Sequence, residues 1–428
     1  MKNSLVLWAL AVVTLTAAAG AKVDVDHTAG PSGIYTFEDG RRLYLAPLVD
    51  ENGATLQFTF SDGLVGRARK EAPSRFADTD PCAHRFVVVD DDRVEYSDCS
   101  AKATARLSVK LDERPTTFRA SDGRSIAGSI WTAHGFAPRA GVVLAHGADD
   151  ETRQMGVLIP QLAEAGLAVL SFDQRGTGAS EGNWRSDGIE RIAADMVQAA
   201  QLLQSEAKIA QVGFFGFSNG GWAAPAAAAR FKDAAFVVIK SGDSQSVEDN
   251  VIFETRTAVE RNAGAVAAGR ATDVMRSLFA ALHTDAEADW AAARKKLADV
   301  QGEPWLRYTQ LPPVQAFPLP AAVKEGFRHQ LFFDPREDLK KIACPVLVML
   351  GDMDIDVEGP RSAALYRAYF RESGNTAAKV ELLEGAGHQL VQGPGAAANN
   401  SMATGRYAAQ YPRNMVSWLG RVIDSHAR

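Results

Sequence analysis

Short apolar runs alternate with polar positions along the first part of the chain, and the rhythm then changes. Between residues 22 and 110 the runs are brief, as in Arg42-Leu43-Tyr44-Leu45, Thr55–Phe60 and Arg85–Val89. Turn signals separate them: Asp39-Gly40, Asn52-Gly53, Asp62-Gly63 and Asp90-Asp91-Asp92. Alternation punctuated by D-G and N-G predicts hairpins, so residues 22–112 read as a small N-terminal β-rich domain. Phe118–Ala120 and Ile126–Thr132 predict a further hairpin across Asp122-Gly123. Beyond it the strands become continuous apolar runs: Gly141–Ala145, Leu167–Phe172, Val212–Gly216, Ala234–Ile239, Cys344–Leu350 and Ala378–Leu383. Helices are predicted between and after them, at 154–165, 189–206, 222–230, 360–370 and 405–423. In the second, Ile192, Met196, Ala199 and Leu203 recur at helical spacing. Strands that alternate with helices imply an α/β architecture over 113–428, a mainly parallel sheet with helices on both faces. The alternation lapses over 244–339. Helices are predicted there at 247–263, 271–282 and 286–300, followed by a stretch rich in proline and aromatics from Pro304 to Phe333. This is read as a helical cap inserted in the second domain. Its aromatics either line a substrate pocket or form the cap's own core.

The N-terminus has a different character. Lys2, the apolar run Leu5–Leu15 and Ala19-Gly20-Ala21 make a secretory signal peptide over 1–21, with Ala17-Ala18-Ala19 as a second cleavage option. An uncleaved anchor is the competing reading, although the run is short for a membrane span. The expected location is the periplasm or the medium, with no stable membrane insertion after cleavage. Export permits disulfides, and of three cysteines Cys82 and Cys99 lie close in a loop-rich region. They are expected to pair, with Cys344 free and buried. No Cys/His cluster has metal-ligand spacing, so no metal is expected. A net charge of −6 offers nothing to attract nucleic acid or an anionic membrane surface.

The candidate chemistry centres on Val212-Gly213-Phe214-Phe215-Gly216-Phe217-Ser218-Asn219-Gly220-Gly221. An apolar strand, a turn too tight for side chains beside its apex, and a helix place Ser218 at the apex of G-x-S-x-G. A serine hydroxyl attacks a carbonyl only when a base takes its proton and a third group orients the base. Of eight histidines, His388 in Gly385-Ala386-Gly387-His388 follows a strand and precedes the last helix, where a loop can swing it toward Ser218. His146 fits a structural or oxyanion-loop role, and His84 reads as a surface loop residue. The acid belongs at a strand end between nucleophile and base. Gly351-Asp352-Met353-Asp354-Ile355-Asp356 offers three carboxylates, of which Asp354 is chosen, with Asp243 as the outside candidate. The oxyanion needs two donors, and the N–H groups of Asn219 and Ala148 are expected to supply them.

These residues carry a resemblance. The order Ser218, Asp354, His388, the His146-Gly147 loop and the turn Asp173-Gln174-Arg175-Gly176-Thr177-Gly178-Ala179-Ser180 resemble the α/β-hydrolase superfamily, near its serine aminopeptidase-like and dienelactone hydrolase-like exported branches. The resemblance covers residues 115–428 and implies an α/β-hydrolase fold, with Asp173 and Arg175 bracing the loops around the site. Where many relatives carry His before the nucleophile and an acid after it, this chain has Phe217 and Asn219. The implied activity is cofactor-free serine hydrolysis of a small-molecule ester through an acyl-enzyme. The alternatives are a peptidase of aminopeptidase or acyl-peptide type acting on a short peptide-like substrate, for which Glu248, Asp249 and Glu254 are available to bind an amine, and a non-catalytic binding protein on the same scaffold.

Overall fold

The computed structural model describes residues 30–50, 53–148, 151–393, 404–408 and 411–426, so the signal peptide expected over 1–21 lies outside the described residues. Eight antiparallel strands come first: β1 (Gly33–Phe37), β2 (Arg42–Asp50), β3 (Gly53–Phe60), β4 (Leu64–Ala72), β5 (Arg75–Ala77), β6 (Arg85–Asp90), β7 (Arg93–Ser97) and β8 (Lys102–Arg119). Each pairs with the next, and β8 returns to β1, so the sheet closes into a barrel. Closure satisfies edges that a lone meander would expose. The alternating positions predicted as hairpin faces point Leu43, Leu45, Leu56, Phe58, Phe60 and Phe86 into one interior.

His84 belongs to that interior, which corrects its reading as a surface residue. It is buried, its Nδ1 lies 2.9 Å from the Tyr96 hydroxyl, and its ring packs against Phe58 and Tyr96. The disulfide joins Cys82 to Cys99, with Cα atoms 5.3 Å apart. Cys344 is free but only half-buried, because it precedes its strand rather than opening it.

Strand β8 does not stop where the pattern changes. Its first half completes the barrel, and residues 111–119 pair with β9 (Ser125–Ala133) as the edge of a second sheet. Strands β10 (Ala140–Ala145), β11 (Leu167–Phe172), β12 (Val212–Phe217), β13 (Ala234–Lys240), β14 (Val346–Gly351) and β15 (Ala378–Leu383) follow. The order across this sheet is β8-β9-β11-β10-β12-β13-β14-β15, antiparallel only at the β8–β9 and β9–β11 pairs. Strands β10, β11, β12 and β14 are buried at every position, as continuous apolar runs require when helices cover both faces.

Several boundaries differ from the sequence pattern, and the helix expected over 271–282 already begins at Ala265. The helix expected over 154–165 begins at Leu158, because Met155 bridges to Leu48 of β2 instead. The last helix begins at Arg413, beyond Pro412. Gly405–Tyr407 forms a strand, β17, paired to β16 (Val391–Gln392) and to β4. Between the adjacent strands β13 and β14 lie the helices Val247–Ala263, Ala265–Thr284, Glu287–Ala298 and Ala321–Leu331. Among the described residues no helix is long and apolar enough to cross a membrane.

Candidate active site

Strand β12 ends at Phe217, the helix Gly220–Arg230 follows, and Ser218 turns the corner at φ +52°. That left-handed conformation costs a non-glycine residue on the order of 1–3 kcal/mol and persists only where the surroundings impose it. Here three backbone bonds do so: Ser218 N–H to Lys240 O at 3.0 Å, Gly220 N–H to His146 O at 3.2 Å, and Gly221 N–H to Ser218 O at 2.8 Å. The flanking glycines are steric necessities. A Cβ on Gly216 would stand 2.0 Å from Gly220 O, and one on Gly220 would stand 2.4 Å from Ala145 O.

The loop after β10 passes directly against Ser218, since a Cβ on Gly147 would lie 3.3 Å from Ser218 Cβ. His146 shapes this loop. Its Nε2 accepts the Gln174 N–H at 3.0 Å, so the proton sits on Nδ1, which donates to Gly147 O at 2.8 Å. Burial pulls its pKa down to about 4 and keeps the ring neutral. Gly147 N–H donates to the Glu151 carboxylate at 2.6 Å. The N–H groups of Ala148 and Asn219 find no acceptor among the described residues. Further back, Asp173 accepts from Arg153 and Ala179 N–H, while the buried Arg175 is bonded to Asp122, Asp187 and Asp195.

His388 stands in the loop after β15, with Nδ1 2.8 Å from Asp354 Oδ2. The other Asp354 oxygen accepts the N–H groups of Asp356 at 2.9 Å and Val357 at 3.1 Å. A carboxylate only accepts, so Nδ1 carries the proton shared with Asp354 and Nε2 is left free of that bond. Burial pulls the imidazole pKa down, but the Asp354 charge and hydrogen bond, with Asp356 behind them, outweigh it and push it up to about 9. Asp243, the other candidate acid, is engaged elsewhere: Ser362, Gln245 N–H and Asn250 all donate to it. Asp354, Asp356 and His388 bring three potential metal-ligand atoms within 4.8 Å of one another. Two of the three residues are already bonded to each other in the manner of an acid–base pair.

The structure therefore brings the five expected site residues to one end of the sheet. Ser218 and Asn219 share the turn, Ala148 lies in the loop against it, and the Phe217 ring lies 5.2 Å from that of His388. Several contributors escaped the sequence reading. Ser241 Oγ donates to His388 O at 2.6 Å and fixes the base loop. Lys240 holds Ser218 through its carbonyl, while its ammonium lies 3.4 Å from Gln389 Oε1 and 4.6 Å over the Phe217 ring. Burial, with Arg67 nearby, pulls the Lys240 pKa down to about 8 against the opposing charge of Glu151. A lysine closing an apolar buried strand was the visible signal. Gln330, from the helices between β13 and β14, reaches Asn219 Oδ1 at 3.4 Å. Those helices also enclose a cleft lined by Val251, Leu278, Phe279, Trp290, Phe317 and Leu331, among other apolar side chains, with Gln310 as its polar member.

An eight-stranded, mainly parallel sheet with a serine at a strained strand-to-helix turn defines the α/β-hydrolase class. Residues 137–306 match the family model described as serine aminopeptidase, S33. Among solved structures, an esterase of Pyrococcus furiosus is 16% identical over 74% of this chain and 91% of its own, with a TM-score of 0.44. A cold-adapted esterase from an Arctic intertidal metagenomic library is 15% identical over 73% of this chain and 94% of its own, at 0.41. A proline iminopeptidase of Mycobacterium smegmatis is 13% identical over 73% and 98%, at 0.40. Likenesses this loose say nothing of the reaction. No curated protein matches the chain.

Proposed function

We propose that the protein is an exported serine hydrolase that cleaves carboxylic esters through an acyl-enzyme. The observation that carries this reading is a serine held at φ +52° at the end of β12, together with a histidine after β15 whose Nδ1 is committed to Asp354, leaving Nε2 as base. Ser218 Oγ attacks the ester carbonyl carbon as His388 Nε2 takes its proton. Asp354 holds the ring and stabilises the imidazolium. The N–H groups of Asn219 and Ala148 receive the oxyanion. His388 then gives its proton to the leaving alkoxide, and the bond to the alcohol breaks. Water, deprotonated by His388, attacks the acyl carbon and releases the acid and free Ser218. No metal or cofactor enters any step.

The division into a signal peptide at 1–21, a β domain at 22–112 and a hydrolase domain at 113–428 belongs to this proposal, as does residence in the periplasm or medium. Residues 244–339 act as the cap. Two of its side chains support that role by reaching down: Gln330 to Asn219, and Asn250 to Asp243 and Asp356 O. Val251 and Leu331, their sequence neighbours, line the apolar cleft. The cleft's apolar lining suits an apolar or aromatic acyl group.

One observation favours a peptidase instead. Glu254 meets Gln310 at the cleft wall, where a carboxylate can recognise a substrate amine. Glu248 and Asp249 are engaged with His283 and Ser246. Turnover of p-nitrophenyl butyrate against an amino-acid p-nitroanilide separates the readings. Ester efficiency far above that of the anilide supports the esterase, and comparable efficiencies support the peptidase.

A further inference from the structure

Besides the shared strand β8 and the bonds that join Tyr44 and Arg42 to Glu164 and Ser61 O to Arg413, the barrel reaches two loops of the proposed active site. Strands β2 and β3 grip the segment that leaves the oxyanion loop. Val49 N–H donates to Gln154 O at 3.3 Å, Gly156 N–H to Pro47 O at 3.1 Å, and Val157 N–H to the Gln57 side-chain oxygen at 3.0 Å. Gly156 sits at φ +58°, and a Cβ there would stand 2.0 Å from that same oxygen, so the glycine is what admits Gln57. A few residues upstream, Glu151 holds Gly147 against Ser218.

Strand β4 grips the base loop. Its first residues pair with β17 in the register Gly405↔Val65 and Arg406↔Leu64. Tyr407 N–H donates to Gly63 O at 2.8 Å, and Thr404 Oγ1 donates to Asp78 Oδ2 at 2.7 Å. From β17 the bonds run on to His388: β17 pairs with β16, Ala408 N–H donates to Leu390 O at 2.9 Å, and Gly387 N–H to Val391 O at 3.1 Å. Leu390 is left at φ +60°, a conformation that a leucine keeps only where its neighbours impose it.

We infer that the N-terminal barrel is a positioning element of the active site: consecutive strands β2, β3 and β4 hold the oxyanion loop and the His388 loop at a fixed separation around Ser218. The hydrolase sheet alone supplies neither loop with these bonds. Gln57 and Thr404 are positioning residues, acting through backbone rather than on substrate. The inference rests on the proposed roles of Ser218 and His388.

The test uses the full chain and p-nitrophenyl butyrate, with wild type beside Gln57→Leu and Thr404→Val and the conservative pair Gln57→Glu and Thr404→Ser, which keep an acceptor oxygen and a hydroxyl. Misplacing a catalytic group by a fraction of an ångström costs rate more than binding, so Leu and Val are expected to lower kcat about tenfold with KM within about twofold. Glu and Ser are expected to restore most of the loss. Unchanged kcat in the folded Leu and Val variants overturns the inference, as does a KM effect at constant kcat or a loss that the conservative pair does not recover. Peptide-level hydrogen exchange on wild type gives a reading independent of any variant's folding. Segments 153–157 and 386–392 are expected to exchange as slowly as β3, and exchange as fast as an open loop overturns the inference. Wild type that neither turns over ester nor labels at Ser218 sinks the functional reading and this inference with it, an outcome distinct from active wild type with indifferent variants.

Discussion

In the proposed mechanism His388 serves as base only while its Nε2 is unprotonated, and the groups around it set where that happens. Burial alone would favour the neutral ring, but the Asp354 charge and hydrogen bond win and raise the pKa to about 9. The sign follows directly: below that value the ring is mostly protonated and cannot accept from Ser218. Accordingly kcat/KM is expected to rise with pH along an acid limb displaced well above the ordinary histidine value of about 6.5 and toward 9. Asp354→Asn removes the larger raising interactions and leaves burial opposed only by Asp356, so the limb moves down while the plateau falls by about 10⁴-fold. A pH–rate profile of both proteins checks this, and an unmoved limb would remove Asp354 from its role. The glycines beside Ser218 give a second residue-scale prediction. Gly220→Ala drives a methyl to 2.4 Å from Ala145 O and is expected to cost roughly 1–3 kcal/mol in denaturant unfolding. Gly269→Ala, within the helix Ala265–Thr284 and with nothing within 4 Å, is expected to gain about 0.5–1 kcal/mol.

At the scale of elements, legibility followed how local the cause was. The strands β10 to β15 declared themselves because burial on both faces demands continuous apolar runs, and the turn at Ser218 because its crowding demands glycine at fixed offsets. The loop that carries His388 was visible through the glycines before it. What stayed hidden was shape acquired from distant partners. Residues 154–157 look helical in isolation but are drawn out by β2, and Gly405–Tyr407 becomes a strand only because β4 and β16 flank it. Ser241 and Lys240 were hidden for the same reason, since their function lies in contacts to a loop that arrives much later in the chain. The helices between β13 and β14 were legible as helices, whereas their cleft was not, because it depends on which faces meet. Filling that cleft tests its role. Leu278→Trp is expected to leave p-nitrophenyl acetate turnover within about twofold and to lower octanoate turnover at least about tenfold, as lost apolar burial of several methylenes implies. Equal effects on both esters would detach the cleft from substrate binding.

As a whole the molecule is two sheets sharing one strand, with β8 running unbroken from barrel to hydrolase sheet. The change of pattern near Pro115 therefore marks a change of partner along one strand rather than a linker. A barrel joined this way, and bonded again through β2, β3 and β4, cannot swing freely. The role proposed for Ser218 is tested most directly by fluorophosphonate labelling of wild type beside Ser218→Ala, with p-nitrophenyl butyrate hydrolysis on the same samples. Stoichiometric labelling and turnover are expected in wild type, with both lost in the variant at unchanged melting temperature. Labelling or turnover that survives Ser218→Ala, or folded wild type that shows neither, would contradict that role.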